Sequence, residues 1–295
     1  MKRIAALILA VSLVLATLAW ADGEEKSREP EKAKADLLPK WYANGSLGAA
    51  LGGLNTRTFV INGGLEGGRL GVWTNHVLKA GINYGNVIYS GNKPVLNVNN
   101  VFANYRFEGF FMKDKKPYFW VRPAWMTDQF QGFWEQYSVD LGPGYSFFGT
   151  SPYVLKAEAG YMFIDTDWVE KKDINPDPNK VDLRLWEPTH NGIIRLIASA
   201  PIQTWGLFTE EAFATMNFKN AKDYHVGSNT ALTFKLTTRL SFQTAFKVLY
   251  TNVPPFVKNL DETGAAKVDG AGNPILKKSE RTDYMWTNSL LVSFF

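Results

Sequence analysis

QYSVDLGPGYSFFGTSPYVLKAEAGYMF, residues 136–163, decides the fold. Tyr137, Val139, Leu141, Pro143, Tyr145 and Phe147 share one parity, and Gln136, Ser138, Asp140, Gly142, Gly144 and Ser146 the other. After the turn Gly149-Thr150-Ser151-Pro152, Tyr153, Leu155, Ala157, Ala159, Tyr161 and Phe163 line one face, with Lys156, Glu158 and Gly160 behind. A period of two is the signature of a strand with one apolar and one polar face. The stretch is therefore two antiparallel strands joined by a short turn.

The same pattern extends in both directions. Tyr224, Val226, Leu232, Phe234 and Leu236 oppose His225, Asn229 and Lys235, while Leu240, Phe242, Phe246, Val248 and Tyr250 oppose Gln243 and Lys247. Weaker strands fit 41–53, 56–67, 71–89, 95–111, 117–127, 181–200, 204–217 and 282–295. No stretch after residue 40 carries helical periodicity. The expected fold is all-β, an antiparallel transmembrane β-barrel of about 12 strands, an even count as bacterial barrels require. Connection lengths agree: the two longest, 167–180 and 253–281, follow strands seven and eleven, so both leave the same rim. Pro123, Pro143 and Pro188 cannot donate to a ladder, so each is expected to mark a bulge or a weakened register.

Tyr137 and Tyr145, then Tyr153 and Tyr161, are eight residues apart on one face. At ~3.3 Å per residue and a tilt near ~40°, that spacing covers about 20 Å of membrane normal, close to a barrel's apolar band. With Tyr250 they form the expected lipid-facing aromatic girdle. Alternation by itself also fits a soluble barrel holding an apolar ligand, and that alternative stays open.

The ends agree with export. Lys2-Arg3 precedes the apolar run Ile4–Leu18, and Ala19-Trp20-Ala21 offers a cleavage site, so 1–21 reads as a cleaved signal peptide. Residues 22–40 carry eleven charged side chains and read as a solvated periplasmic tether. Residues 41–295 have no internal linker and form the barrel domain. The chain closes on Ser289-Leu290-Leu291-Val292-Ser293-Phe294-Phe295, a strand ending on an aromatic. Leu291 shares the parity of Phe295, whereas Leu290, Val292 and Phe294 take the other. The chain lacks cysteine, which excludes a lipoprotein, a disulfide scaffold and thiolate metal sites. Its formal charge of +4 falls to +2 once Lys2 and Arg3 leave with the signal, so nucleic acid is not an expected partner.

Trp125–Phe163 resembles the salt-induced outer-membrane protein family, catalogued as a domain of unknown function. The resemblance rests on Asp128-Gln129-Phe130 with Gly132, Glu135-Gln136, Gly142-Pro143-Gly144-Tyr145 and Leu155–Tyr161. Gly45-Ser46-Leu47-Gly48 and Gly53-Leu54-Asn55-Thr56 resemble its first hairpin, departing where Leu54 separates Gly53 from Asn55. The likeness covers about residues 41–216 and implies a barrel at the bacterial outer membrane with a salt- or envelope-stress link. It transfers no catalytic residue.

Chemistry is sparse. A Ser–His hydrolase needs a histidine within reach of a serine and a third group to orient the ring. His76, His190 and His225 are the available histidines, and Ser228 lies three residues from His225, on the opposite face of a strand. Asp165, Asp167, Glu170, Asp173 and Asp177 make an acidic loop without fixed ligand spacing, read as solvated surface rather than a Ca²⁺ site. No cofactor or metal is expected. Arg106, Glu108, Arg122, Asp140, Lys156, Glu158, Lys235 and Lys247 all lie opposite the apolar face and are the expected lumen-lining residues. Mixed charges there either pair and seal the lumen or line a narrow water path. The expected role is a non-enzymatic small-solute channel or structural envelope component, with a lipid-modifying hydrolase as the alternative. Expected partners are outer-membrane lipid, lipopolysaccharide and, through the C-terminal strand, the barrel-assembly machinery.

Overall fold

The computed structural model describes residues 40–53, 57–88, 95–128, 133–148, 153–168, 188–253, 256–258, 267–270, 272, 275–278 and 281–294. The expected signal peptide, the tether up to residue 39, Glu170, Asp173, Asp177 and Phe295 lie outside the described residues.

Twelve strands close into one antiparallel barrel. In chain order they are β1 (Lys40–Gly53), β2 (Arg57–Leu70), β3 (Thr74–Ile88), β4 (Val95–Phe110), β5 (Pro117–Asp128) and β6 (Phe133–Ser146). Then come β7 (Val154–Trp168), β8 (Thr189–Ile202), β9 (Gly206–Asn217), β10 (Tyr224–Lys235), β11 (Leu240–Thr251) and, last, β14 (Thr282–Ser293). Between β11 and β14, β12 (Phe256–Lys258) pairs with β13 (Leu276–Lys278) as a separate small hairpin. The described residues contain no helix. β8 starts at Thr189 rather than 181, and residues 181–187 lie outside the described ones.

Closure is made by β1 against β14, from Asn44 opposite Ser293 to Gly53 opposite Tyr284. Ser293 Oγ donates to Asn44 Oδ1 at 2.9 Å, and the Phe294 amide donates to the Ala43 carbonyl at 2.9 Å. Joining the two ends of the sheet leaves no unpaired edge. The strand parity also resolves which face of the C-terminal segment is apolar. Leu290, Val292 and Phe294 are exposed on the outer wall, while Leu291 and Ser293 take the inward register.

That outer wall is largely apolar. Phe59, Ile61 and Leu65 on β2, Leu78, Ile82 and Tyr84 on β3, and Trp286 on β14 all stand exposed. The inner face carries the polar parity and also the compact packing: Phe110, Tyr118, Trp120 and Ile193 are buried together, with Met162 against them. Both long connections, after β7 and after β11, leave the rim opposite the chain ends. The turns at 203–205 and 236–239 sit on the rim that holds those ends.

The strand prolines interrupt the ladder without making bulges. Pro123 and Pro143 open gaps in the ladders to β4 and β7, but the register on either side is unchanged. A missing N–H removes a hydrogen bond without demanding an extra residue. The register shifts lie instead at Gly85/Asn86, Met126/Asp128 and Phe133/Glu135. Pro188 stands just before β8, where no ladder needs its N–H.

At the Pro143 gap, β6 and β7 approach closely. A Cβ on Gly160 would lie 2.1 Å from the Leu141 carbonyl oxygen, and one on Gly142 2.1 Å from that of Ala159. Gly160 also leaves room for Trp120, whose Cζ2 would be 3.1 Å from such a Cβ. Gly160→Ala should therefore push the two strands apart and lower barrel stability by about 2 kcal/mol or more. The check is the temperature at which the compact band of an unheated detergent gel converts to the unfolded one. An unchanged conversion temperature would refute the close approach.

Candidate functional site

Six of the eight expected lumen residues meet in one buried cluster. Arg106 on β4 reaches Glu158 on β7, pairs with Glu108 at 2.9 Å, and its Nε donates to Glu108 Oε1 at 3.0 Å. Lys156 on β7 donates to both oxygens of Glu108 at 3.0 Å. Arg122 on β5 grips Asp140 on β6 through Nε at 3.1 Å and Nη2 at 3.0 Å. β4 and β7 are not neighbours in the sheet, so their side chains can meet only across the barrel's inside. Lys235 and Lys247, also on the inward register, are exposed on β10 and β11 instead.

Sequence reasoning missed the residues that join these pairs. Arg195 on β8 donates 2.7 Å bonds to Glu158 Oε2 and Asp140 Oδ2, and its Nε lies 3.0 Å from Glu211 Oε1. Its guanidinium centre is 5.0 Å from the Trp120 ring centroid, and that of Arg106 is 5.6 Å away. Trp120 is 0% exposed and donates its indole N–H to the Pro143 carbonyl at 3.2 Å. Tyr118 donates to Glu158 at 2.7 Å, with Lys156 Nζ 5.0 Å from its ring. In sequence, Ile193 and Ile194 are apolar on both faces of β8, which hides the alternation around Arg195. The available signal was the lone cation in Ile193-Ile194-Arg195-Leu196-Ile197.

Electrostatically the cluster balances. Arg106, Arg122, Lys156 and Arg195 supply four cations against four carboxylates, Glu108, Asp140, Glu158 and Glu211. Buried charges need such partners, because removal from water costs several kcal/mol per ion. Hydrogen bonding continues to neighbouring strands: Asn75 donates to Glu108 at 3.0 Å, Tyr42 to Glu66 at 3.0 Å, and Lys79 pairs with Glu66 at 2.7 Å. In the β4–β5 turn, Lys115 (φ 58°) holds Nζ 5.1 Å from the Phe110 ring, and partial burial lowers its pKa.

On the outer parity, Tyr137 and Tyr145 are exposed, while Tyr153, Tyr161 and Tyr250 are half-buried. Tyr161 stacks on Phe218 at 6.4 Å and Tyr250 sits 6.1 Å from Tyr224. Glu210 also takes the outer register, where Ser228 and Thr230 donate to its carboxylate at 2.6 and 2.5 Å. That commits Ser228 to Glu210, while His225 bonds Thr251 at 3.1 Å and approaches Asp223 at 3.8 Å. His76 meets Tyr105 at 2.6 Å and Thr74 at 3.1 Å, and His190 meets Tyr161. No serine is among these partners, so the geometry lends no support to a Ser–His pair. Among the described residues, no group of histidine and carboxylate side chains could hold a metal ion.

The family described as "Protein of unknown function, DUF481" matches residues 46–266. The chain belongs to that family. Its description assigns no activity and makes no reference to salt. Among curated proteins, none matches the chain. Of solved structures, the NanC porin is similar at TM-score 0.50 and 6% identity, over 84% of this chain and 98% of that one. An outer-membrane channel of Pseudomonas putida F1 is similar at TM-score 0.45 and 8% identity, over 91% and 100%. The translocator domain of the autotransporter NalP of Neisseria meningitidis follows at TM-score 0.44 and 8% identity, over 99% and 98%. At such low identity the first of these likenesses concerns the fold alone. This DUF481 chain thus shares its barrel fold with a porin.

Proposed function

We propose that this DUF481 barrel spans the bacterial outer membrane and passes small solutes through a narrow, off-centre lumen. The membrane reading is supported by the exposed apolar outer wall, which water would penalise and lipid would not. Aromatic contacts near both rims fit girdles at the two interfaces. Trp205, Phe234 and Phe242 stack at 5.6 and 6.4 Å by the rim of the chain ends, and Tyr224–Tyr250 and Tyr161–Phe218 lie towards the other. Tyr137, Tyr145, Tyr153, Tyr161 and Tyr250 belong to these girdles, facing lipid and lipopolysaccharide. β14 is the strand offered to the assembly machinery. A salt- or envelope-stress link rests on the family resemblance alone.

One observation carries the channel reading: the charged cluster fills only the β4–β9 side of the interior. Across from it, the inward register of β10, β11, β14, β1 and β2 holds mostly small neutral residues such as Ser46, Asn62, Asn229, Gln243, Thr287 and Ser289, with Glu66, Lys235, Lys247 and Asp283 among the charged exceptions. A wall of that kind leaves room for water, whereas a lumen packed shut would need bulk there. Because the cluster is charge-balanced, its net field is small and the path discriminates weakly by ion sign.

Planar-bilayer recording of the refolded protein tests this, with insertion verified by the heat-modifiable gel shift. Steady small steps with weak preference between cations and anions are expected. Silence after verified insertion would mean a sealed lumen and a structural envelope role instead.

A further inference from the structure

We infer that the lumen-facing edge of the cluster, Arg122 with Glu211, is a binding site for a small zwitterion carrying an ammonium and a carboxylate on one short skeleton. Arg122 commits Nε and Nη2 to Asp140, at 3.1 and 3.0 Å. Its Nη1 stands 3.9 Å from Glu211 Oε1, an ion pair too long for a hydrogen bond. The same oxygen lies 3.0 Å from Arg195 Nε as an ion pair without hydrogen-bond alignment. These two side chains are also the least covered of the cluster, at 26% and 39% exposed, against 0% for Asp140 and Glu158 and 1% for Arg195. Where the cluster meets water, then, one guanidinium nitrogen and one carboxylate lie side by side with capacity left over.

The pair spans β5 and β9, four strands apart, so it bridges the interior and borders the open side. Any solute moving along the mostly neutral wall passes it. An anion approaching Arg122 meets Glu211, and a cation approaching Glu211 meets Arg122, so single charges are opposed by the neighbouring group. A molecule bearing both charges answers both, with a charge-assisted hydrogen bond at each end. The buried Asp140 and Arg195 hold the two groups in place, which lowers the ordering cost of binding.

As a statement about transported solutes this rests on the channel reading, but binding can be measured without conduction. The experiment is saturation-transfer NMR on the refolded protein in detergent, with glycine as probe and acetate and methylammonium as single-charge controls. Glycine should bind at least tenfold more tightly than either control. Arg122→Gln and Glu211→Gln should each weaken glycine about tenfold, the size of one charge-assisted hydrogen bond. Acetate binding as well as glycine, or glycine binding equal in the parent and both variants, would overturn the site. Bilayer recordings on the same preparation separate the two ideas. Glycine binding without conducting steps keeps the site and removes the channel, whereas conducting steps without glycine binding do the reverse.

Discussion

Arg195→Ala is expected to destabilise the barrel by about 3–5 kcal/mol, the cost of leaving a buried ionic partner uncompensated. Arg195 is 1% exposed and is shared by Asp140 and Glu158, both 0% exposed, with Glu211 on its third side. Truncation strips a cation from two buried carboxylates at once and removes the guanidinium from the face of Trp120. Denaturant unfolding of the refolded protein, followed by tryptophan emission, measures the loss. Adding Glu158→Gln to Arg195→Met should recover part of it, because three cations then face three carboxylates and Arg106 keeps Glu108. A loss below about 1 kcal/mol for Arg195→Ala would put the site in the range of exposed ion pairs and show that water reaches it.

Trp120→Ala is expected to cost about 3–5 kcal/mol as well, by the different route of a cavity left in packed surroundings. Its indole separates Gly160 from Arg106 and Arg195 and fills the space between β5 and β7. The hole is bordered by Ile193 and Met162 on its apolar side and by Arg106 and Arg195 on its charged side, and the charged side admits water. The variant should therefore show larger single-channel steps than the parent, in addition to a lower unfolding midpoint. Arg195→Ala leaves the ring in place and should widen the path less. Equal conductance in parent and Trp120→Ala would mean that the ring lies away from the conducting side, and the off-centre path would have to move further towards β1.

The two variants also distinguish what holds the cluster together. Should Trp120→Ala prove mild while Arg195→Ala is severe, charge pairing dominates and the ring is a spacer. The opposite order would make the aromatic platform the organiser, since both guanidinium groups lie over it.

Much of this molecule was legible from its residues alone. Period-two alternation through residues 136–163 and 224–250, with even strand number and long connections on one parity, is enough to specify a barrel and to say which side chains point together. The reason is physical: in a strand, parity is a face, and a barrel wall between two media imprints opposite polarities on its faces. Arg106, Glu108, Arg122, Asp140, Lys156 and Glu158 were assigned to one side on that ground, and they are found together in the interior.

Tertiary structure alone decided who meets whom. The contacts Arg106–Glu158, Arg195–Asp140 and Arg122–Glu211 join strands that are not neighbours, and no local pattern encodes the curvature and stagger that bring them into reach. The same holds for Pro143, whose ladder gap became a glycine-lined close approach to β7 and not the bulge that its missing N–H invited. Lys235 and Lys247 share the inward parity but stand exposed on β10 and β11, outside the buried cluster, because parity assigns a face and only closure of the sheet decides which strands face one another.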